Sequence, residues 1–401
     1  MRISTGTFYN ESVASMNQLQ VNIAQTTQQL ATGRKILSPA DDPAAAARAA
    51  ELTQIDSANT QFGSNRIAAT NVLSLADGIL QSVTNLILDA KDVSTAATNG
   101  LLDAAARKSM AIDIQGRLEE LIGLANSTDG TGNFIFAGAQ GKVKPFADTG
   151  TGVVYQGDDV QRKVQAATGR QIPITDSGAD IFMRVRNGNG TFNVAPGTAN
   201  AGDSTIKQGV VTDAALYDGH DYQIHFTSAN TYDINDVTTG LPVLAGNAYV
   251  SGQAISFNGI QFEIKGTPAL NDTFDVTPSQ NQSIFDTLTK LVATLSAPAV
   301  AVSGPTNASY RQGLSDAFNS LEQGLNVVLG TRATMGARLR ELDALNVTGD
   351  DLGTQYKATL SKIQDTDYNK AISDLTQQQM VLTAAQKSFS QVSKMSLFDY
   401  L

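Results

Sequence analysis

The chain has 401 residues, with 28 Lys and Arg against 38 Asp and Glu, which gives a formal net charge of -10. This length accommodates two or three domains. The absence of a Lys/Arg cluster argues against a nucleic-acid partner or an anionic membrane surface. The sequence contains no cysteine, which excludes disulfides, thiolate metal sites and cysteine nucleophiles.

The N-terminal residues MRISTGTFYNESV contain one basic residue and no apolar core, so we expect no cleavable secretory signal. No apolar run approaches the roughly 20 residues that a membrane-spanning helix requires, and we expect no membrane insertion. If the protein is exported, its route must therefore leave the N-terminus intact.

Apolar residues recur every seven positions near the N-terminus, through Met16, Ile23, Leu30 and Leu37, with Leu19 in a second row offset by three. This alternation of three and four is the seam of a coiled coil. A matching seam near the C-terminus consists of Tyr368, Leu375, Leu382 and Phe389, with Val392 in its offset row. Seams at both ends predict that the ends pack together or against neighbouring molecules.

A hinge is predicted after the first seam. Gly33 can end the first helix in the left-handed conformation, and Pro39 prevents its simple continuation. Asp42 is then placed as an N-cap, with Pro43 at the first position of the next helix. These four residues predict a short extended hinge between two helices.

The heptad pattern continues without proline over residues 44–99, which predicts a helix about 80 Å long. Helical periodicity returns at Ser283, with a seven-spaced row of Leu314, Leu321, Val328, Met335 and Leu342. Such long runs favour a coiled coil or an elongated bundle. Heptads also line the bundles of ordinary soluble enzymes, and periodicity alone leaves that alternative open.

Between the helical regions, from residue 134 to about 279, the sequence is typical of strands. Runs such as GVVYQGD, DYQIHF and AISFNGIQFEIKG are separated by Gly, Asn, Asp and Pro. The order helices, strands, helices predicts an α+β, multidomain fold, in which both chain ends form an elongated antiparallel coiled-coil rod with an inserted β-rich domain. The predicted division is terminal helices at 1–43 plus 350–401, a helical rod at 44–189 plus 280–349 with strands at about 134–189, and an inserted β domain at 190–279.

Motifs for ligand chemistry are weak. His220 and His225 are the only histidines, and five residues apart on one strand they would point to opposite faces, which disfavours a shared metal ion. The Asn-Gly-Asn-Gly run at 187–190 is predicted to be a hairpin turn rather than a phosphate-binding loop.

Acidic pairs carry no clear catalytic signal either. The pair formed by Asp41 and Asp42 is interpreted as helix capping. Asp365 and Asp367 are predicted to lie on a helix face as exposed ion pairs with nearby lysines. We therefore expect no catalytic residues, no metal, no cofactor and no enzymatic activity.

Two stretches resemble a known family. LATGRKILSPADDPAAAARAAEL resembles the segment that joins the first two helices of bacterial flagellins, and DTDYNKAISDLTQQQMVLTAAQKSFSQVSKMSLFDYL resembles the last flagellin helix. Within the flagellin superfamily the chain is most similar to the hook–filament junction proteins, the third group of hook-associated proteins. That similarity rests on the opening MRIST, the proline-flanked PADDP, and GNFIFAGAQGKVKPF followed by VVYQGDD.

The resemblance implies a structural subunit of the bacterial flagellum that joins hook to filament, is exported unfolded by the flagellar type III apparatus and assembles through its terminal helices. It implies an extracellular location at the hook–filament junction. The implied partners are copies of the chain in a ring, the hook-side junction protein (the first hook-associated protein), flagellin and an export chaperone. Two alternatives stay open: a filament flagellin, and a secreted coiled-coil adhesin or translocation protein.

Overall fold

The structure is a computed structural model that describes residues 5–98, 102–297 and 305–394. The described part contains six α-helices: α1 Thr5–Thr32, α2 Pro43–Ala97, α3 Ala104–Ala125, α4 Ile284–Leu295, α5 Pro305–Gln364 and α6 Tyr368–Lys394. The chain divides into two compact units, Met1–Ser64 with Ala344–Leu401, and Asn65–Asp343.

Fourteen strands lie between α3 and α4 in the described residues. They are β1 Phe146–Asp148, β2 Val153–Tyr155, β3 Lys163–Ala167, β4 Arg170–Pro173, β5 Val185–Arg186, β6 Phe192–Pro196, β7 Thr205–Val211, β8 Tyr222–Ser228, β9 Thr231–Asp236, β10 Leu241–Ala248, β11 Ala254–Phe257, β12 Ile260–Lys265, β13 Thr273–Pro278 and β14 Asn281–Gln282. The order helices, strands, helices confirms the α+β class predicted from the sequence.

The long helices are confirmed. α2 covers the helix predicted over residues 44–99 as far as Ala97, and residue 99 lies outside the described residues. In the unit Asn65–Asp343, α2 and α5 run antiparallel, because Asp77 pairs with Arg332 (Nε to Oδ1, 2.9 Å) and the Ala97 carbonyl accepts from the Tyr310 hydroxyl at 3.0 Å.

The larger β region has its own apolar core. β10, β9, β8, β13 and β6 form an antiparallel sheet in that order, and β11, β12 and β7 form a second sheet. On β8, Tyr222, Ile224 and Phe226 are buried while the residues between them are half-buried, the period of two expected of a strand with one buried face. These side chains belong to one continuous cluster from Phe192 to Val276.

A second core lies under the short strands that follow α3. The rings of Phe136, Phe146, Phe182 and Phe285 are fully buried, and neighbouring rings lie with centroids 5.3 to 5.9 Å apart. Burying each such ring stabilises the fold by about 1.5–3 kcal/mol. Because Phe285 comes from α4, this cluster joins the strands to the returning helical segment.

One seam prediction is wrong: Leu37 does not lie on the first helix. α1 ends at Thr32 because Gly33 takes a φ of +70°, and Leu37 lies in the loop that follows. The loop is also folded rather than extended. The Asp41 carboxylate accepts hydrogen bonds from the backbone N–H groups of Leu37 (2.9 Å) and Ser38 (2.7 Å) and so closes a turn.

The predicted placement of both histidines on one strand is also wrong. β8 begins at Tyr222, and Gly219, at a φ of +73°, turns the chain just before it. His220 therefore lies in a turn, where its Nδ1 is 2.8 Å from the Asp236 carboxylate. His225 lies within β8.

The turn at residues 187–190 exists, but it does not close a hairpin. The Gly190 N–H donates to the Asn187 carbonyl at 3.1 Å. However, β5 pairs with β14 and β6 pairs with β13. The Asn187 side chain accepts a hydrogen bond from the Gln280 N–H at 2.8 Å, so the chain on one side of the turn is held to residues about 90 positions later.

The interpretation of Asp365 and Asp367 as members of an exposed helix face is wrong. α5 ends at Gln364 and α6 begins at Tyr368, so both aspartates lie in the link between these helices. Asp367 accepts a hydrogen bond from the Lys370 N–H at 3.1 Å, which caps α6. Asp367 is therefore a capping residue, whereas the Asp365 carboxylate accepts a hydrogen bond from the Ser361 hydroxyl of α5.

Candidate assembly site in the terminal helices

The two predicted seams pack against each other in antiparallel orientation. At one end the rings of Tyr9 and Phe389 lie 5.1 Å apart. Further along, the Thr26 hydroxyl donates to the Gln378 side-chain carbonyl at 3.2 Å. The structure thus brings α1 and α6 together along most of their length, as two matched heptad stripes predict.

The seam buries little apolar surface. Thr26 and Ala371 are buried, but most of the predicted seam residues are only half-buried: Met16, Leu19, Ile23, Leu30, Leu375, Leu382 and Phe389. Tyr368 and Val392 are exposed. A polar Thr–Gln contact at the centre adds specificity but little hydrophobic stabilisation. Within one chain, this pair of helices leaves its apolar stripe incompletely covered.

Large apolar side chains outside the seam are exposed on the same two helices. Met380 is 68% exposed, Val21 59% and Ile372 54%. A structure with so many exposed large side chains on one helix pair typically offers a surface to another molecule. The sequence analysis did not single out these residues, because they lie off the heptad rows.

The outer surface of α1 is almost free of charge. Glu11 is the one residue among Thr5–Thr32 that is charged at neutral pH, and the remaining polar residues carry amides or hydroxyls. Coulomb interactions therefore contribute little to what this surface can bind. Apolar contact and neutral hydrogen bonds remain as its means of association.

The links that follow α1 and α5 are bonded to each other through their backbones. The Lys35 N–H donates to the Gln364 carbonyl at 2.7 Å, and the Thr366 N–H donates to the Gly33 carbonyl at 2.9 Å. A Cβ added at Gly33 would lie 2.9 Å from the Tyr368 hydroxyl oxygen. Both the positive φ and this close approach therefore require a residue without a Cβ at position 33.

The predicted capping of α2 is confirmed for Asp42 and is wrong for Asp41, whose carboxylate closes the preceding turn. Two glutamines that the sequence analysis missed help to hold this loop. The Asp42 carboxylate accepts from the Ala45 N–H at 2.9 Å, with Pro43 as the first residue of α2. The Gln29 amide donates to the Lys35 carbonyl at 2.8 Å, and the Gln25 amide donates to Asp41 at 3.1 Å. The Ser-Pro-Ala-Asp spacing was a local signal for the Asp41 turn.

In the part of the chain that the structure describes, no group of three or more His, Cys, Asp or Glu could hold a metal ion. None of the described helices is long and apolar enough to cross a membrane.

Comparison with known proteins agrees with this geometry. The family model for the bacterial flagellin N-terminal helical region matches residues 3–141. Over its whole length the chain is similar to flagellar hook-associated protein 3 of Salmonella typhimurium, with 29% identity over 100% of this chain and 99% of the relative.

A solved structure of a flagellar junction protein is also similar to this chain. The crystal structure of the flagellar junction protein FlgL from Legionella pneumophila is 27% identical, with a TM-score of 0.71 over 79% of this chain and 100% of that one. Phase 1 flagellin of Salmonella naestved is 24% identical over 86% of this chain and 72% of its own length. Both the recognition from sequence and the multidomain α+β fold are confirmed.

Proposed function

We propose that this chain is a structural subunit of the bacterial flagellum that joins the hook to the filament. The observation that carries the proposal is the match to a hook-associated protein 3, which spans 100% of this chain and 99% of the relative. The match to a flagellin is weaker and spans less of both chains, so the filament-flagellin alternative has less support. The adhesin or translocation alternative has no support from the relatives and the solved structure described above.

The division of labour follows the predicted domains. Residues 1–43 plus 350–401 form the assembling inner-tube domain. Residues 44–189 plus 280–349 form the rod, and residues 190–279 form the inserted β domain. The β core that runs from Phe192 to Val276 supports the inserted domain, and the contacts between α1 and α6 support the pairing of the two chain ends.

Assembly uses the surface that a single chain leaves uncovered. The seam residues and the exposed Ile372, Met380 and Val21 gain burial when neighbours pack against the helix pair. The links around Gly33, Pro39, Asp42 and Pro43 set the direction in which the pair leaves α2 and α5. No catalytic step is required for this role.

The partners are copies of the chain in a ring, the hook-side junction protein, flagellin and an export chaperone that shields the terminal helices before export. The location is outside the cell, between hook and filament. Half-buried terminal helices suit such a subunit, because they order chiefly on binding.

The test is complementation of a motile bacterium that lacks its own hook-associated protein 3. The chain should restore swimming and reduce the flagellin lost to the medium. A flagellin expressed in parallel serves as the control and should restore neither. Purified chain that forms long filaments by itself would instead identify a filament subunit and overturn the proposal.

A further inference from the structure

A polar cleft lies in the unit Asn65–Asp343, where α5 passes α4 and the strands near β6. It consists of two cavities of about 450 and 390 Å³, each within the size range of small-molecule sites, about 300–1,000 Å³. Both cavities share Gly313 and Asp316 on α5. The proposed assembly function makes no use of this cleft.

The helix packing creates the cleft around Asp316. A Cβ added at Gly313 would lie 2.7 Å from the Thr294 hydroxyl, so glycine lets α4 and α5 approach closely at this point. Asp316, about one turn further along α5, then lines the space on both sides of the contact. Its position is fixed by the helices rather than by a loop, as a preorganised site requires.

Hydrogen bonds hold Asp316 from one side. The Gln312 amide donates to Oδ1 of Asp316 at 2.8 Å, and the Gln312 carbonyl oxygen accepts from the Ile206 N–H at 2.9 Å. Oδ2 of Asp316 receives no hydrogen bond from the residues that the structure describes. Burial raises the pKa of Asp316 to about 6, against smaller opposing effects of the Gln312 hydrogen bond and of Lys290. A perturbed carboxyl in a cleft is a frequent mark of a binding site.

A buried hydroxyl at the second cavity is also unpaired. Ser204 lines that cavity and is 6% exposed. Its hydroxyl makes no hydrogen bond within the described parts of the chain. Buried polar groups are nearly always paired with protein, water or ligand, so this second observation points to an occupant with hydrogen-bonding groups.

The residues that line the cleft determine which kind of ligand it can bind. The first cavity is lined by amides, including Asn193, Gln208 and Asn319, with hydroxyls beside them and with Lys290 and Asp316 as its charged residues. One cation and one anion leave no net charge for an ionic ligand, and a single carboxylate does not make a cation site. The lining contains no aromatic or large aliphatic side chain, so an apolar ligand gains little.

We propose that this cleft binds a short neutral saccharide, with Asp316 accepting hydrogen bonds from its hydroxyl groups. Amides supply both donors and acceptors, which suits hydroxyls that act in both ways. The carboxylate makes the stronger, charge-assisted bonds. The site gives the subunit a ligand-binding role that is separate from assembly.

The test is ligand-observed saturation-transfer NMR on the full chain, with glucose, galactose, N-acetylglucosamine, maltose and cellobiose as probes. At about pH 7.5, where Asp316 is ionised, at least one of these sugars should show saturable transfer with a Kd on the order of 1 mM. The absence of transfer from every one of them at about 20 mM would overturn the proposal.

Variants locate the site. Asp316→Asn should weaken binding about tenfold, and Ser320→Trp, which fills the first cavity from its half-buried lining, should abolish the transfer. Asp343→Asn, an exposed position on the same helix, is the matched control and should bind like the original chain. Circular dichroism checks that each variant is folded. Equal transfer in the original chain, Asp316→Asn and Ser320→Trp would contradict the assignment.

Discussion

At the scale of single residues, the surroundings of several polar groups affect the stability of the fold by amounts that can be measured. Asp316 is the clearest, because burial raises its pKa from 3.8 to about 6. Its ionised form is therefore less stable in the folded protein than in the unfolded chain. This penalty is absent below about pH 4 and is complete once the pH rises past about 6.

Asp316→Asn should consequently stabilise the protein at neutral pH. We expect a gain of about 1–3 kcal/mol in the free energy of unfolding at pH 7 and no gain at pH 4. Denaturant titrations followed by circular dichroism at both values measure it, with Asp343→Asn as the control. A gain that is equal at the two pH values would show that ionisation of Asp316 is not its cause.

His220 provides a second electrostatic test. Its hydrogen bond to Asp236 raises the pKa of His220, and the same contact helps to lower the pKa of Asp236 to about 2. The raised pKa means that this contact stabilises the fold below about pH 6.5 and that the effect is lost as the pH rises through the folded pKa. Proton NMR titration of Asp236→Asn should show a lower pKa for His220 than in the original chain. An unchanged value would rule out Asp236 as the cause.

Gly33 tests the geometry of the link. In Gly33→Ala the positive φ strains the alanine, and its Cβ comes too close to the Tyr368 hydroxyl. The substitution should therefore destabilise the protein by about 1–2 kcal/mol. Gly78→Ala is the matched control, since a Cβ there meets nothing within 4 Å and alanine favours the middle of a helix. Thermal melting should therefore move the two variants in opposite directions. A Gly33→Ala protein as stable as Gly78→Ala would disprove the constraint.

At the scale of elements, the α1–α6 pair combines a predicted seam with weak burial. Leu382 is half-buried in the single chain, so Leu382→Asp should change the melting temperature of the free subunit little. In an assembled ring the same charge would be buried at a cost of several kcal/mol. We therefore expect normal melting but failed incorporation, with loss of motility and flagellin in the medium.

Thr383→Asp is the control for that experiment. It introduces the same charge one position further along α6, where Thr383 is exposed beside the seam. It should melt and assemble almost normally. A Leu382→Asp subunit that melts much lower yet still supports swimming would refute the assignment of this seam to assembly.

Local sequence signals predicted elements well where the cause was itself local. Asp42 and Pro43 predict the start of α2. The alternation of apolar and polar residues along β8 predicts which face of that strand is buried. The seven-residue spacing was followed as far as Leu37, although Gly33, the residue predicted to end the first helix, comes four positions earlier and has a positive φ.

The non-local contacts of the β region, unlike the pairing of the two chain ends, could not be predicted from the sequence. The pairing of β5 with β14 joins residues almost 100 positions apart. The cleft depends on Gln312 meeting Ile206, 106 positions away. The local sequence around one residue of such a pair does not identify its distant partner. The cleft, and the absence of a hairpin at 187–190, therefore follow only from the structure.

At the scale of the whole molecule, the β region is built so that the chain enters and leaves it at one place. The Asn187 N–H donates to the Gln280 carbonyl at 2.9 Å, and the Asn187 side chain accepts from the Gln280 N–H at 2.8 Å. An inserted domain with adjacent ends can be removed without pulling its flanks apart.

Deletion of residues 190–279 with a short Gly/Ser bridge should therefore leave a folded helical protein that still incorporates at the hook tip. The contacts from Gln312 to Ile206 and from Arg311 to Asp203 are lost in this variant, so a modest fall in melting temperature is expected. Circular dichroism and the swimming assay measure the outcome. Loss of the helical signal would contradict an independently folded insertion.

The most direct measurement of the proposed function is the position of the protein on isolated hook–basal bodies with short filaments attached. A labelled antibody against residues 190–279 should mark a single narrow band between hook and filament. Label spread along the filament would identify a flagellin, and an unlabelled junction would contradict the central proposal.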